Sequence, residues 1–311
     1  MSAYITETLH LANDEIATLV RLPARANSRG AVLYVHGFVD YFFQDHVAEH
    51  FAGRGFDFYA IDLRRYGRSL REGEIPWFTT DLAEYFEELD AAVDCIRADG
   101  HDCIAVLAHS TGGLIAPLWL NDRPHPEVNA LILNSPWLEL QEGWFLRTIG
   151  TWVIRGIGRV CPEWIVPQTL GSVNSESVHK DIHGEWEFNT IWKPLTPQPV
   201  RFGFLAAVRR GQARLHKGLN VRCPVFVMHS DESRLGLKVW SPVAMRADTV
   251  LNVEQIEQWA GAIAPDVTTA TIPGGMHDLF LSAEPVRKRA FAEMDSWLES
   301  HLIDMPSPRV D

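Results

Sequence analysis

The fold is decided by the stretch A-H-S-T-G-G at residues 108–113, which joins a predicted strand at 103–108 to a helix that begins near Gly112. A serine on such a tight turn is presented at the end of the sheet, and the turn accepts only small residues two positions to either side of it. Ala108 and Gly112 occupy those positions. The stretch therefore predicts a nucleophilic serine, Ser110, with the positive end of the following helix directed towards it.

A second turn, H-G-F at residues 36–38, follows a predicted strand at 31–35. Its glycine lets a backbone N–H approach the carbonyl oxygen of a reacting substrate. Two such donors stabilise the negative oxygen of a tetrahedral intermediate. We assign this oxyanion hole to the N–H groups of Phe38 and Thr111, and we expect His36 to orient the turn rather than to act as a base.

A histidine near the end of the chain is the predicted base for Ser110. His277 follows a predicted strand at 267–272 through a P-G-G loop, whose glycines allow the backbone to turn the imidazole over the edge of the sheet. In a site of this type the imidazole takes the serine proton and later returns it to the leaving group. The adjacent Asp278 is expected to cap or position the next turn.

Short apolar runs alternate with amphipathic stretches along most of the chain, which is typical of a mostly parallel sheet covered by helices. Strands are predicted at 16–21, 31–35, 56–61, 103–108, 129–134, 224–229 and 267–272, and helices at 44–54, at 82–98, from Gly112, at 253–262 and at 285–301. The alternation stops between Trp137 and His216. We therefore predict a core domain formed by residues 1–136 and 217–311, interrupted by a mostly helical insertion at 137–216.

Tryptophan is concentrated in this insertion, which holds six of the 11 tryptophans of the chain. They are Trp137, Trp144, Trp152, Trp164, Trp186 and Trp192. We expect some of them to line an apolar pocket and others to fill the core of the insertion. The run at 144–160 carries Arg147, Arg155 and Arg159 within apolar sequence. It is interpreted as a lid helix that packs on the pocket, with transient contact to lipid as the alternative.

Composition excludes several classes of protein. The chain has 311 residues, of which 46% are hydrophobic, with 28 Lys and Arg against 40 Asp and Glu, a formal net charge of −12. This acidic balance argues against nucleic-acid binding, and the spacing of the four cysteines predicts neither disulfides nor a metal site. No signal peptide is recognised, and polar residues interrupt the most apolar segment, 104–120, so no transmembrane segment is predicted. We expect a cytoplasmic protein.

Four motifs occur together in an order and spacing that resemble the α/β-hydrolase superfamily. They are H-G-F at 36–38, Y-A-I-D-L-R-R-Y-G-R-S at 59–69, A-H-S-T-G-G at 108–113 and G-G-M-H-D at 274–278. Within the superfamily the chain looks most like the monoacylglycerol lipase and lysophospholipase-like hydrolases, although Ala108 stands where glycine is usual. The resemblance implies an eight-stranded sheet, a lid formed by the insertion, and an acyl-transferring serine hydrolase whose catalytic residues follow in the order Ser, acid, His.

The family pattern is broken where the acid should appear. The family usually places an aspartate shortly after the strand at 224–229, but the chain reads H-S-D-E-S-R-L there, with Ser233 at the expected position. Either Asp231 or Glu232 substitutes in a shifted loop, or inserted sequence separates the strand from the acid, which is then Asp248. We favour Asp248.

Together these features predict a hydrolase that cleaves carboxylic esters through an acyl-enzyme and needs neither a metal nor an organic cofactor. The expected substrate is a small, apolar, lipid-like ester of the monoacylglycerol or lysophospholipid type. The same residues also suit a lactone, an amide or a carbon–carbon bond, and a catalytically inactive binding protein of this fold is the alternative from another class. The sequence leaves the oligomeric state open.

Overall fold

The computed structural model describes residues 4–25, 28–141, 150–169 and 171–302. Its strands are β1 (Ile5–His10), β2 (Ile16–Leu22), β3 (Gly30–Val35), β4 (Phe56–Asp62), β5 (Ile104–His109), β6 (Val128–Asn134), β7 (Ile165–Thr169), β8 (Pro199–Arg201), β9 (Val225–Ser230) and β10 (Val267–Ile272). Its α-helices are α1 (Asp45–Gly53), α2 (Phe86–Ala98), α3 (Gly112–Asp122), α4 (Thr151–Val160), α5 (Val173–Val178), α6 (Phe202–Leu215), α7 (Val253–Ala260) and α8 (Glu284–Leu302).

Eight strands form one sheet in the order β1-β2-β4-β3-β5-β6-β9-β10. β2 is antiparallel to both β1 and β4, and the pairings from β4 to β10 are parallel. The expectation of a mostly parallel, eight-stranded sheet with flanking helices is confirmed. Because the carboxyl ends of parallel strands share one edge, the loops that follow β3, β5, β6, β9 and β10 meet there.

The central strands are buried on both faces of this sheet. Every residue of β3 is buried, and its alternate residues enter different core clusters, Leu33 on one face and Val32 and Tyr34 on the other. This separation follows from the two-residue period of a strand. It explains why the central strands read as continuous apolar runs in the sequence.

The edge strand β1 was not predicted from the sequence. Five of its six residues are exposed, so it has neither the apolar run of a central strand nor a regular alternation. It is held by antiparallel pairing with β2, in which Ile5 lies opposite Arg21.

In the predicted helix at 82–98, the first turn is a 3-10 helix, Leu82–Tyr85, which continues into α2.

The segment predicted as the insertion contains α4, α5 and α6, together with an antiparallel pair formed by β7 and β8. α4 lies close against α6, since a Cβ added to Gly158 would stand 2.7 Å from the carbonyl oxygen of Phe202. Residues 142–149 are outside the described part of the chain. Trp144, Arg147 and the beginning of the predicted helix at 144–160 therefore lie outside it as well.

No helix in the described ranges is both long and apolar enough to cross a membrane. The most apolar helix, α3, has 11 residues, which is about half of what a bilayer span requires. The four cysteines, all of them described, form no disulfide with one another.

Candidate active site

Ser110 lies on the turn between β5 and α3 in a left-handed backbone conformation, with a φ of +52°. This conformation is unfavourable for a residue with a side chain, so surrounding contacts must hold it. The Ser110 N–H donates to the carbonyl oxygen of Asn134 at 3.1 Å, and the Ser110 carbonyl accepts from the N–H of Trp137 at 2.9 Å. The end of β6 and the loop that follows it therefore fix the turn from both sides.

Glycines allow the turn after β3 to approach this serine. A Cβ added to Gly112 would stand 2.5 Å from the carbonyl oxygen of His36 and 2.7 Å from that of Val35. A Cβ added to Gly37 would stand 3.0 Å from the Cβ of Ser110. Both positions explain why the two motifs carry glycine: a larger residue would push the H-G-F turn away from the serine.

His277 and Asp248 continue from Ser110 in a chain of hydrogen bonds. His277 Nε2 lies 3.0 Å from Ser110 Oγ, and His277 Nδ1 lies 2.9 Å from Asp248 Oδ2. The other carboxylate oxygen of Asp248 accepts from the N–H groups of Val250 and Leu251, both at 2.8 Å. The side chains of Ser110, His277 and Asp248 are all buried. With its proton on Nδ1, the imidazole donates to Asp248 and can accept the serine proton on Nε2.

The two alternative carboxylates are bonded elsewhere. Asp231 Oδ1 accepts from the N–H of Gly274 at 2.8 Å, and Glu232 forms an ion pair with Arg234. Neither carboxylate contacts His277 within the described residues.

Seventeen residues, 231–247, separate the end of β9 from Asp248. Ser233 and Asp248 form a parallel β-bridge, so the chain leaves at Ser233 and returns beside it. The hydroxyl of Ser233 donates to the carbonyl oxygen of Leu251 and accepts from the N–H of Val253. These bonds hold the two ends of the intervening loop together.

The two proposed oxyanion donors flank the serine. In the described part of the chain, neither the N–H of Phe38 nor that of Thr111 has a hydrogen-bond acceptor, and the Thr111 hydroxyl is also buried without a partner. The ring of Phe38 stacks on that of Phe204 in α6, with 4.2 Å between centroids, and lies edge-on to Trp77. Both N–H groups are therefore available to an oxygen that develops negative charge.

His36 connects the turn after β3 with the turn after β4. Its Nε2 accepts from the N–H of Leu63 at 3.1 Å, and its Nδ1 donates to the carbonyl oxygen of Gly37 at 2.7 Å. Burial lowers the pKa of this imidazole, which favours the neutral form that such bonding requires.

Sequence reasoning missed a buried polar network beside His277. The Asn134 side chain donates to Asp278 Oδ1 at 2.7 Å, and Gln44 donates to Asp278 Oδ2 at 3.2 Å. Burial disfavours the Asp278 carboxylate, but the nearby His109 and these hydrogen bonds together lower its pKa. The available signal for Asn134 was a polar residue at the carboxyl end of a buried strand, next to the strand that presents Ser110.

An eight-stranded, mostly parallel sheet with a serine on the turn between β5 and α3 defines an α/β-hydrolase. A family model described as serine aminopeptidase, S33 matches residues 26–284, and the chain belongs to this family. Across the described residues, no group of three or more His, Cys, Asp or Glu side chains is arranged to hold a metal ion.

Individual relatives support the same assignment. The chain is 28% identical over 283 residues to a monoacylglycerol lipase of Mycolicibacterium smegmatis, covering 88% of this chain and 89% of the relative. It is similar in structure to a soluble variant of monoglyceride lipase from Saccharomyces cerevisiae, with a TM-score of 0.72, 17% identity and 97% of both chains covered. It is also similar to a monoacylglycerol lipase from Paleococcus ferrophilus, with a TM-score of 0.67, 18% identity, and 91% of this chain and 99% of that chain covered. The resemblance to monoacylglycerol lipase-like α/β-hydrolases is confirmed.

Proposed function

We propose that the protein is a serine carboxylester hydrolase that cleaves apolar, lipid-like esters through an acyl-enzyme. The observation that carries this proposal is the pair of hydrogen bonds at His277, 3.0 Å to Ser110 Oγ and 2.9 Å to Asp248 Oδ2, at a serine held in a left-handed turn. Such a chain supplies a nucleophile, a base and a group that fixes the tautomer of the base.

The proposed reaction has two halves. Ser110 Oγ attacks the ester carbonyl while His277 Nε2 takes its proton, and the carbonyl oxygen becomes an oxyanion bound by the N–H groups of Phe38 and Thr111. The tetrahedral intermediate collapses, the C–O bond to the alcohol breaks, and His277 protonates the leaving oxygen. Water then attacks the acyl-enzyme with His277 again as base, which releases the acid and restores the serine. Asp248 stabilises the imidazolium in both halves.

Two observations support an apolar substrate. The aromatic rings of Phe38, Phe204 and Trp77 pack together directly beside the proposed oxyanion hole. Several relatives of the chain are monoacylglycerol lipases. We propose that residues 137–216 act as the lid over a core formed by 1–136 and 217–311, since Phe204 of this segment lies on Phe38 of the core.

The test combines active-site labelling with a substrate panel. A fluorophosphonate probe should label the wild-type protein, and Ser110→Ala should abolish labelling while circular dichroism stays unchanged. The panel comprises p-nitrophenyl esters from acetate to palmitate, a monoacylglycerol, a lactone and an aminoacyl amide, the last because of the peptidase description of the family. Folded wild-type protein that does not label would indicate an inactive binding protein, and preference for the amide over every ester would refute the proposed substrate class.

We also propose that the surface formed by α4 and Trp164 makes transient contact with anionic lipid. Trp152 and Val160 of α4 are 77% and 79% exposed, Trp164, which follows the helix, is 63% exposed, and the exposed Arg155 and Arg159 lie among them. Apolar side chains interleaved with arginine suit the interface of an anionic bilayer.

Sedimentation with vesicles of phosphatidylglycerol tests this contact. The double variant Trp152→Ser and Trp164→Ser should bind at least about tenfold more weakly, because each inserted large apolar side chain contributes about 1.5–3 kcal/mol. Ile191→Ser is the matched control, since Ile191 is similarly exposed but lies outside the surface formed by α4 and Trp164. Equal binding by the wild type and the double variant would refute the proposed lipid contact.

A further inference from the structure

The turn that carries Phe38 contains a strained residue. Val39, which follows Phe38 directly, has a φ of +51°. A β-branched side chain is rarely found in the left-handed region, because its Cβ substituents clash with the backbone there. Such a conformation persists only where neighbouring contacts enforce it, and it is concentrated at functional sites.

A buried ion pair holds the residue on the other side of Val39. Lys193 Nζ lies 2.7 Å from Asp40 Oδ1, and the two residues are 8% and 2% exposed. The Lys193 ammonium also stands over the rings of Phe43 and Phe188, at 5.4 and 5.8 Å from their centroids. Lys193 comes from the segment between α5 and β8, far from Asp40 in sequence.

The two residues that follow Asp40 are also held in place, by hydrogen bonds and a ring contact. The hydroxyl of Tyr41 accepts from the N–H of Asn189 at 2.7 Å, and the ring of Tyr41 lies edge-on to Trp192 at 5.2 Å. The N–H of Phe42 donates to Asp62 at 2.9 Å. Residues 40–42 are therefore anchored one after another, two of them by the segment that holds Lys193.

We propose that Lys193 is a positioning residue for the oxyanion hole. Its ion pair with Asp40 keeps Val39 in the left-handed conformation, and this conformation holds Phe38 in the position from which its N–H serves the oxyanion. The inference rests on the proposed ester hydrolysis. It assigns to residues 188–193, which lie in the proposed lid segment, a direct influence on the chemical step.

The pair is suited to this role because it is buried. Without Lys193, the Asp40 carboxylate would be left without a counter-charge away from water, so it moves towards solvent or gains a water molecule. Either response releases the backbone at Val39, which relaxes to negative φ and turns the peptide between Phe38 and Val39. This shifts Phe38 as a whole and, with it, the N–H that it carries in the preceding peptide. A small displacement of an oxyanion donor weakens binding of the transition state much more than binding of the substrate.

The test compares Lys193→Met with Lys180→Met. Lys180 pairs with Glu187 in the same segment, but both are exposed, so it is a matched control for loss of a lysine. We expect Lys193→Met to lower kcat by about 10- to 100-fold and to change KM by less than about threefold. The expected loss is smaller than that for complete removal of an oxyanion donor, because the Phe38 N–H is displaced but still present. Affinity for a trifluoromethyl ketone, which forms an oxyanion on Ser110, should fall by the same factor as kcat. Lys180→Met should retain wild-type values.

A double-mutant cycle separates positioning from general stability. Glycine adopts positive φ without strain, so Lys193→Met should cost at least about fivefold less kcat in a Val39→Gly background than in the wild type. If Lys193→Met does not fold, Lys193→Met with Asp40→Asn removes both charges, and the same loss of kcat and the same rescue are expected. A lowered melting temperature with unchanged kcat and ketone affinity, or equal losses in both backgrounds, would refute the positioning role. Wild-type protein that neither labels nor hydrolyses esters would instead refute the proposed function itself.

Discussion

Asp248→Asn tests the proposed reaction most directly, because the structure dictates how the new side chain must be oriented. Asp248 Oδ1 accepts hydrogen bonds from two backbone N–H groups, and Oδ2 faces His277 Nδ1. Of the two terminal atoms of an asparagine side chain, only the oxygen can accept those bonds. Its NH₂ group is therefore forced towards His277.

This orientation inverts the roles of the two imidazole nitrogens. Nδ1 must then accept a hydrogen bond from the asparagine, so the ring proton resides on Nε2 and points at Ser110 Oγ, 3.0 Å away. An imidazole in this tautomer cannot take the serine proton. We expect kcat to fall by about 10⁴, equivalent to about 5 kcal/mol of transition-state stabilisation, with KM nearly unchanged.

The assay is steady-state hydrolysis of p-nitrophenyl butyrate, with the rate of fluorophosphonate labelling as a second readout. Asp231→Asn is the matched control, because Asp231 directly follows β9 but its carboxylate binds only the N–H of Gly274 among the described contacts. This variant should retain most of the activity. Asp248→Asn with more than about a tenth of wild-type kcat, or a greater loss in Asp231→Asn, would refute the assignment of the acid.

The other predictions concern the network at Asp278, the packing of α3 and a partly buried thiol. Asn134→Asp replaces a donor to Asp278 by a second carboxylate, so the free energy of urea unfolding should fall by about 2–3 kcal/mol at pH 8. It should fall less at pH 5, because the neighbouring charge raises the pKa of the new carboxyl, whose protonated form can donate; equal losses at both pH values would contradict this. Gly112→Ala should lower the free energy of unfolding by about 1–3 kcal/mol, because the added Cβ meets the close carbonyl oxygens described above. Gly53→Ala is the control: no atom lies within 4 Å of its added Cβ, so the free energy of unfolding should change by less than about 1 kcal/mol. Desolvation of this partly buried thiol raises the pKa of Cys223 to about 12, so iodoacetamide at pH 8 should alkylate it about a thousandfold more slowly in native than in unfolded protein, as followed by mass spectrometry; similar rates would refute the raised pKa.

The central part of the fold was predictable because burial leaves a direct trace in the sequence. β3, β4 and β5 are buried on both faces, and their sequences are correspondingly apolar except for Asp57 within β4 and the terminal residues Asp62 and His109. The turn at Ser110 was predictable for a different reason, since close backbone approach restricts residue size at Gly112. β1 leaves no such trace, because its stability comes from main-chain pairing at an exposed edge.

The polar residues that support the candidate site were not predictable in the same way. Asn134 and Gln44 act through side-chain hydrogen bonds to Asp278, and only the folded chain brings these three together. Lys193 is a stronger case, because lysine is usually exposed and nothing near it in sequence indicates a buried carboxylate partner. Contacts between distant segments carry no periodic signal, so pattern reasoning cannot find them.

We propose that Asp248 is the acid even though the family pattern after β9 is broken. Hydrogen bonding to His277 requires a carboxylate at one place above the sheet, but it does not require a fixed number of residues after β9. The β-bridge between Ser233 and Asp248 brings the chain back to its starting point, so the residues between them do not displace the acid. Those residues have another partner: Trp240 donates to the hydroxyl of Ser177 at 3.1 Å and stacks on His183. The loop between Ser233 and Asp248 is therefore bound to the segment that also holds Lys193. We propose that Ser233 stands at the usual position of the acid because this loop adds a contact, with the acid itself placed at Asp248.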